Sequence, residues 1–307
     1  MILIGTSGYS FPDWVGPFYP PGTARGKMLD HYVRHFPAVE VNSTYYRIPP
    51  PSTLHAMERK TPPEFEFVVK AHHDMTHKRT LEPELYDAFA RSVEPLQEAG
   101  KLSGILAQFP YAFRRTKENQ EFLGELKRRL PEAPLFVEFR HSSWVRDDLF
   151  PWLEEEGLGY VSVDEPELPG LVPPIARATG PLGYVRLHGR NKENWWQPEN
   201  GRKQFAGSDS RPKTEREPRA RRDAEYGPLF SAETAAAEAP SDSGAGNSGD
   251  RYDYLYSEAE LKEWVDKIRE LSTKAKKTFV FFNNCHVGQA ATGAKLMRRL
   301  LEGEGLL

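Results

Sequence analysis

Eight short runs rich in β-branched and aromatic residues recur along this chain, separated by stretches with helical periodicity. The runs are Ile2–Thr6, Ala38–Asn42, Glu66–His72, Ser103–Phe109, Leu135–Arg140, Gly159–Asp164, Leu182–His188 and Thr278–Asn283. Helical candidates fall near 24–36, 51–60, 81–99, 116–130, 145–156, 257–275 and 287–302. The 257–275 segment opens on Ser257-Glu-Ala-Glu260, a capping box. Strands that alternate with helices predict a parallel sheet, because each parallel strand needs a crossover. Eight repeats favour closure, so the expected fold is α/β: a single (β/α)8 TIM-type barrel over 1–307.

One crossover breaks the pattern. After the seventh run, residues 197–250 are dominated by Arg, Glu, Ser, Gly, Ala and Pro, and Arg211–Arg222 and Ala235–Gly249 offer almost nothing to bury. This stretch reads as a long disordered, low-complexity insert within the barrel domain. It also explains a mean hydropathy of −0.64, low for a barrel.

Charge and cysteine usage bound the setting. A net charge of −3 and a pI near 6.3 give no global basic field of the sort a dedicated nucleic-acid binder carries. Cys285 is the only cysteine, so no intrachain disulfide forms and a reducing compartment fits. Met1–Gly5 has no basic n-region, and no apolar run approaches the roughly 18 residues that span a bilayer. The reading is a cytoplasmic protein without a membrane partner.

Side chains alternate between the two faces of a strand. If the apolar parity packs on helices, the other parity points into the barrel, and here it is polar. Val39 and Val41 oppose Glu40 and Asn42; Val69 and Ala71 oppose Lys70 and His72; Val137 and Phe139 oppose Glu138 and Arg140. Val161 and Val163 oppose Ser162 and Asp164, and Val185 and Leu187 oppose Arg186 and His188. Thr6, Gln108 and Asn283 complete the ring. Nearly every strand thus offers a polar group near its C-terminal end, where barrel enzymes build their sites. A self-paired ion network is the structural alternative, since buried charges are costly unless paired.

The charges favour an anionic ligand. Lys70, Arg140 and Arg186 suit a carboxylate or phosphate. Glu40 or Glu138 would serve as general acid or base, with His188 or His72 as proton partner. The set His72, Glu138, Asp164 and His188 holds metal-ligating types, but no HExxH-like spacing is present and three cations share the face, so no metal or other cofactor is expected. At the same end lie Gly5-Thr-Ser-Gly-Tyr9, Trp14, Tyr45, Tyr46, Trp144 and the Trp195-Trp196 pair, rings that can stack on a base or sugar. Tyr9 and Trp144 join the substrate-binding candidates, and Arg190 and Lys192 add rim charge. A catalytic Cys285–His286 pair is not expected, since adjacent side chains diverge.

These loop motifs resemble the YecE-like family of TIM-barrel proteins, a domain-of-unknown-function family. The matching stretches are Gly5-Thr-Ser-Gly-Tyr9, Phe18-Tyr19-Pro20, Val39-Glu-Val-Asn-Ser-Thr-Tyr45-Tyr46, Lys70-Ala71-His72 and Gln108-Phe109-Pro110. Glu138-Phe-Arg140, Ser143-Trp144, Asp164-Glu-Pro166, Tyr184-Val-Arg-Leu-His-Gly189, Tyr252-Asp-Tyr254 and Phe281-Phe-Asn-Asn284 also match. The resemblance covers the chain except the insert. It implies the barrel and carries no settled activity. The family's barrel is similar in outline to the endonuclease-IV and xylose-isomerase type, whose metal ligands are not matched here residue by residue.

Three functions follow as expectations. The favoured one is an enzyme using acid/base chemistry on a small phosphorylated or carboxylated substrate. The second is a metal-dependent phosphodiesterase or nucleic-acid-binding barrel, disfavoured by the pI. The third is a ligand-binding protein without turnover.

Overall fold

The computed structural model describes residues 1–196 and 250–307. The expected insert, 197–250, lies outside the described residues except for Asp250, where a 3-10 turn, Asp250–Tyr252, begins. Elements run β1 (Ile2–Ser7), α1 (Met28–Tyr32), β2 (Ala38–Val41), α2 (Ser43–Tyr46), α3 (Pro51–Arg59), β3 (Glu66–Lys70), α4 (His73–Thr76) and α5 (Pro83–Glu98). They continue β4 (Leu102–Gln108), α6 (Lys117–Arg129), β5 (Leu135–Glu138), α7 (Leu149–Glu156), β6 (Gly159–Asp164), β7 (Leu182–Leu187), α8 (Glu258–Lys274), β8 (Lys277–Phe282) and α9 (Gln289–Gly303). The eight strands pair in sequence order, all parallel, and β8 pairs back to β1, closing the barrel.

Local signals set the helices. Ser257 and Glu260 form the expected capping box of α8, and Thr116 caps α6 through the Asn119 N–H. Gly157 ends α7 with φ 63°, a left-handed conformation that glycine adopts without cost. The expected 24–36 helix is shorter: a 3-10 turn, Arg25–Lys27, precedes α1. Among the described residues no helix is long and apolar enough to cross a membrane.

The barrel interior is layered. At the N-terminal end Glu66 pairs with Lys277 and accepts from Ser103 Oγ at 2.6 Å. Above it sits an aromatic layer in which Tyr184 lies 4.7 Å from Phe136 and 5.5 Å from Phe281, ring to ring. Gly104 and Gly159 make room for it: a Cβ on either would come within 2.4 and 2.6 Å of the Phe136 ring. Above the aromatic layer the interior turns ionic.

Register corrects two expectations about facing. Thr6 pairs with Val39, whereas Ser7 pairs with Glu40, so Ser7 and not Thr6 points inward. Thr6 Oγ1 instead donates to Tyr32 of α1 at 2.9 Å. In β6, Val161 pairs with Tyr184 and Val163 with Arg186, which puts the valines inside and Ser162 and Asp164 on the helix side. The cause is volume. The Phe136 and Tyr184 rings leave room only for Gly159 and small aliphatic neighbours, and Asp164 finds cations outside.

Candidate functional site

Arg186 organises the ionic layer. Its Nε and Nη2 donate to the two oxygens of Glu40 at 2.9 and 2.6 Å, and Nη1 donates to Glu138 Oε2 at 2.6 Å. Tyr184, two residues earlier on the same face, donates to Glu40 Oε2 at 2.5 Å. Arg140 approaches Glu138 Oε1 to 2.7 Å and donates to Glu165 Oε2 at 2.5 Å. The chain Glu40–Arg186–Glu138–Arg140–Glu165 therefore crosses the barrel with all five residues buried. Bidentate geometry and multiple acceptors are what allow such charges to leave water.

Titration follows from this packing. Burial alone would raise the Glu138 carboxyl, but Arg140, Arg186 and His188 outweigh it and hold it well below the usual carboxylate value. Glu165 goes the other way: burial, together with the Glu138 charge, pushes it up to about 7 against the pull of Arg140. His188 is driven down to about 3 by burial and then by Arg140, so it is neutral at pH 7. Its Nδ1 lies 3.0 Å from the Asn283 amide nitrogen, and its Nε2 lies 3.2 Å from both Glu138 Oε1 and Arg140 Nη2.

A cavity of about 340 Å3 opens above this layer at the C-terminal ends of the strands. Asn42, Lys70, Gln108, Arg140 and Asn283 line it. Glu40, Glu138, Arg186 and His188 do not line it and are each no more than 1% exposed. The expected residues Thr6, Tyr9, His72, Trp144 and Asp164 lie elsewhere. Tyr9 packs beside Tyr32, ring centroids 5.9 Å apart, and its carbonyl accepts from Tyr19. His72 caps α4, its Nδ1 accepting from Asp74 N at 3.2 Å. Trp144 stacks on Phe139 at 4.1 Å on the helix side and donates to the Phe113 carbonyl at 2.7 Å. Asp164 meets Arg190 Nε at 3.0 Å and Tyr256. The four metal-ligating types His72, Glu138, Asp164 and His188 thus do not converge, and among the described residues no group of three or more His, Cys, Asp or Glu is placed to hold an ion.

Lys70 differs from the other cations. It ends β3, faces inward, and donates to Gln108 Oε1 at 3.0 Å; its Nζ lies 4.2 Å from the Tyr45 ring centroid. Among the described residues no carboxylate pairs with it. Burial, then the Arg186 charge, lowers its pKa to about 8 despite Glu138 and Glu40. Gln108 is fixed by its own donation to the Phe109 carbonyl at 2.8 Å, which turns Oε1 toward the ammonium.

The sequence missed several wall residues. Ser7, His77, Tyr252 and Arg251 all line the cavity. Burial and then Lys70 lower His77 to about 4. Arg251 lies 5.5 Å over the Tyr252 ring, and its buried Nε makes no hydrogen bond among the described residues. The signal for Arg251 was the Tyr252-Asp-Tyr254 motif beside it; the composition of the preceding stretch masked it.

Comparison with known proteins agrees with this architecture. The profile of a family described as "Protein of unknown function DUF72" matches residues 3–306. UPF0759 protein YunF of Bacillus subtilis (strain 168) is 33% identical over 316 residues, covering 99% of this chain and 96% of that protein. UPF0759 protein YecE of Escherichia coli (strain K12) is 30% identical over 115 residues, 37% of this chain and 39% of that protein. Among solved structures, a DUF72 family protein (TM1631) from Thermotoga maritima MSB8 superposes with a TM-score of 0.77 at 36% identity, covering 98% of this chain and 99% of that one. A DUF72 family protein (EF0366) from Enterococcus faecalis V583 gives 0.74 at 26% identity, covering 98% and 96%.

Proposed function

The chain belongs to the DUF72 family, and on that premise we propose that it is an enzyme acting on a small phosphorylated or carboxylated substrate by proton transfer in the cavity above the ionic layer. The observation that carries this reading is the half-buried Lys70 ammonium at the cavity wall, with no carboxylate partner among the described residues. Charge balance supports it. The ionic chain sets three carboxylates against two guanidiniums. With Glu165 protonated the chain is neutral, and the Lys70 charge is left for one anionic group of a ligand. Arg251 and the cavity-facing edge of Arg140 supply further donors for that group. Glu40, Glu138 and His188 take the role of a floor that sets the local field, while Lys70 is the titratable group that meets substrate.

The test is calorimetric titration with inorganic phosphate, sugar phosphates and 2-oxo acids. A charge-assisted hydrogen bond contributes about 1.5–3 kcal/mol, so Lys70→Met weakens the best ligand by roughly 10- to 100-fold. Failure of every anion to bind the unaltered protein refutes the reading.

The aromatic rim favours a second reading, a nucleic-acid-binding barrel. Tyr46 and Trp196 line the cavity mouth and are 55% and 54% exposed, placed where bases stack. That reading requires oligonucleotide binding that weakens steeply with salt.

A further inference from the structure

Two lysines of this barrel, Lys101 and Lys70, are bound in opposite ways. Lys101, 4% exposed, donates to the Glu58 and Thr61 carbonyls at 2.9 Å each, to Thr61 Oγ1 at 3.1 Å and to Glu58 Oε1 at 3.0 Å. It is a saturated ammonium and does not line the cavity above the ionic layer. Lys70 has one oxygen acceptor, Gln108 Oε1, and one ring face, Tyr45. An ammonium has three N–H donors, so two of those on Lys70 find no oxygen among the described residues. A free amine needs far less: its lone pair faces the cavity while one N–H stays on Gln108. The surroundings are built for an amine at least as well as for an ammonium.

We propose that Lys70 is a nucleophile that condenses with the carbonyl carbon of a small anionic aldehyde or ketone to form an imine. This deepens the anion-site reading and rests on it. The step balances without a redox partner. The Lys70 ammonium releases a proton to solvent; the amine nitrogen attacks the carbonyl carbon and one of its two protons passes to the carbonyl oxygen, giving a carbinolamine. The nitrogen's second proton passes to that hydroxyl, which leaves as water as the C=N bond forms. Protonation of the imine restores one positive charge at the same atom, so the balance of the ionic layer is the same before and after. The substrate's phosphate or carboxylate then falls to Arg251 and the edge of Arg140, both on the cavity wall. Burial and neighbouring guanidiniums are the features that lower a lysine's pKa toward neutrality, and both act on Lys70.

The experiment is reductive trapping on the full chain. The protein is incubated at pH 8 with glycolaldehyde, dihydroxyacetone phosphate or pyruvate, reduced with borohydride, digested and mapped by mass spectrometry. An amine titrating near 8 is half free at that pH, whereas an ordinary lysine near 10.4 is free at well under 1%, roughly a hundredfold less. The expected result is an adduct at Lys70 with at least one probe, labelled about tenfold or more above any other lysine. Lys70→Arg keeps the cation and abolishes the adduct, while its unfolding midpoint stays close to that of the parent. No adduct with any probe, or labelling spread evenly over the lysines, overturns the proposal. If phosphate still binds in that case, the anion site stands and only the imine is lost. If neither phosphate nor probe binds, both readings fall together.

Discussion

Replacing Arg186 by Met removes the centre of the ionic layer. Arg186 supplies three of the short hydrogen bonds that hold Glu40 and Glu138, and it is the only cation paired with Glu40 among the described residues. Without it Glu138 keeps Arg140, but Glu40, fully buried, retains among the described residues only the Tyr184 hydroxyl as a hydrogen-bond partner. Breaking a buried pair by removing one member costs about 3–5 kcal/mol, mostly because the other charge stays behind. Against a total stability of about 5–15 kcal/mol, urea unfolding reads this as a large drop in midpoint. The loss is tied to the stranded carboxylate, so Glu40→Gln in the Arg186→Met background restores much of it, about 2 kcal/mol or more, although Glu40→Gln alone destabilises. An Arg186→Met loss below about 1 kcal/mol, or a double variant that is less stable than Arg186→Met, refutes the reasoning.

Three further outcomes follow from the same structure. Sulfate, whose charge is constant across the range, binds best below pH 7. Its affinity falls as Glu165 ionises through about 7 and again as Lys70 loses its proton through about 8, and Glu165→Gln leaves only the second fall when titrated calorimetrically. Gly104→Ala drives a Cβ to within 2.4 Å of the Phe136 ring and destabilises by about 1–3 kcal/mol in urea, an effect that Phe136→Leu reduces. Asp164→Asn weakens the Arg190 contact behind the barrel wall and costs about 1–3 kcal/mol of stability, yet leaves sulfate affinity unchanged because Asp164 does not line the cavity.

The barrel was legible because eight strand runs alternate with helical periods, and that strand count favours closure. Which face of a strand points inward was harder to read. Parallel barrel strands are buried on both sides, so hydrophobicity alone does not separate the two parities. In β7 the inference held, since Arg186 and Tyr184 both face inward. In β6 it failed: Val161 and Val163 fill space left by the interior rings, and Asp164 is satisfied from outside by Arg190. The candidate site was half visible. Lys70, Arg140, Asn42, Gln108 and Asn283 reach the cavity, while Glu40 and Glu138, equally polar in sequence, sit one layer lower. Depth along the barrel axis depends on strand stagger, which no strand's own pattern records. His77 escaped notice because α4 is a single turn, too short to show a period.

The most direct measurement is a carbon-13 NMR titration of the protein labelled at lysine Cε, with the Lys70 resonance assigned by its loss in Lys70→Met. The structure predicts a Lys70 pKa near 8 that rises when sulfate is added, because the anion stabilises the ammonium. A Lys70 that titrates with the surface lysines near 10.4 and ignores added anion contradicts the claim that this side chain is the ligand-binding cation of the cavity.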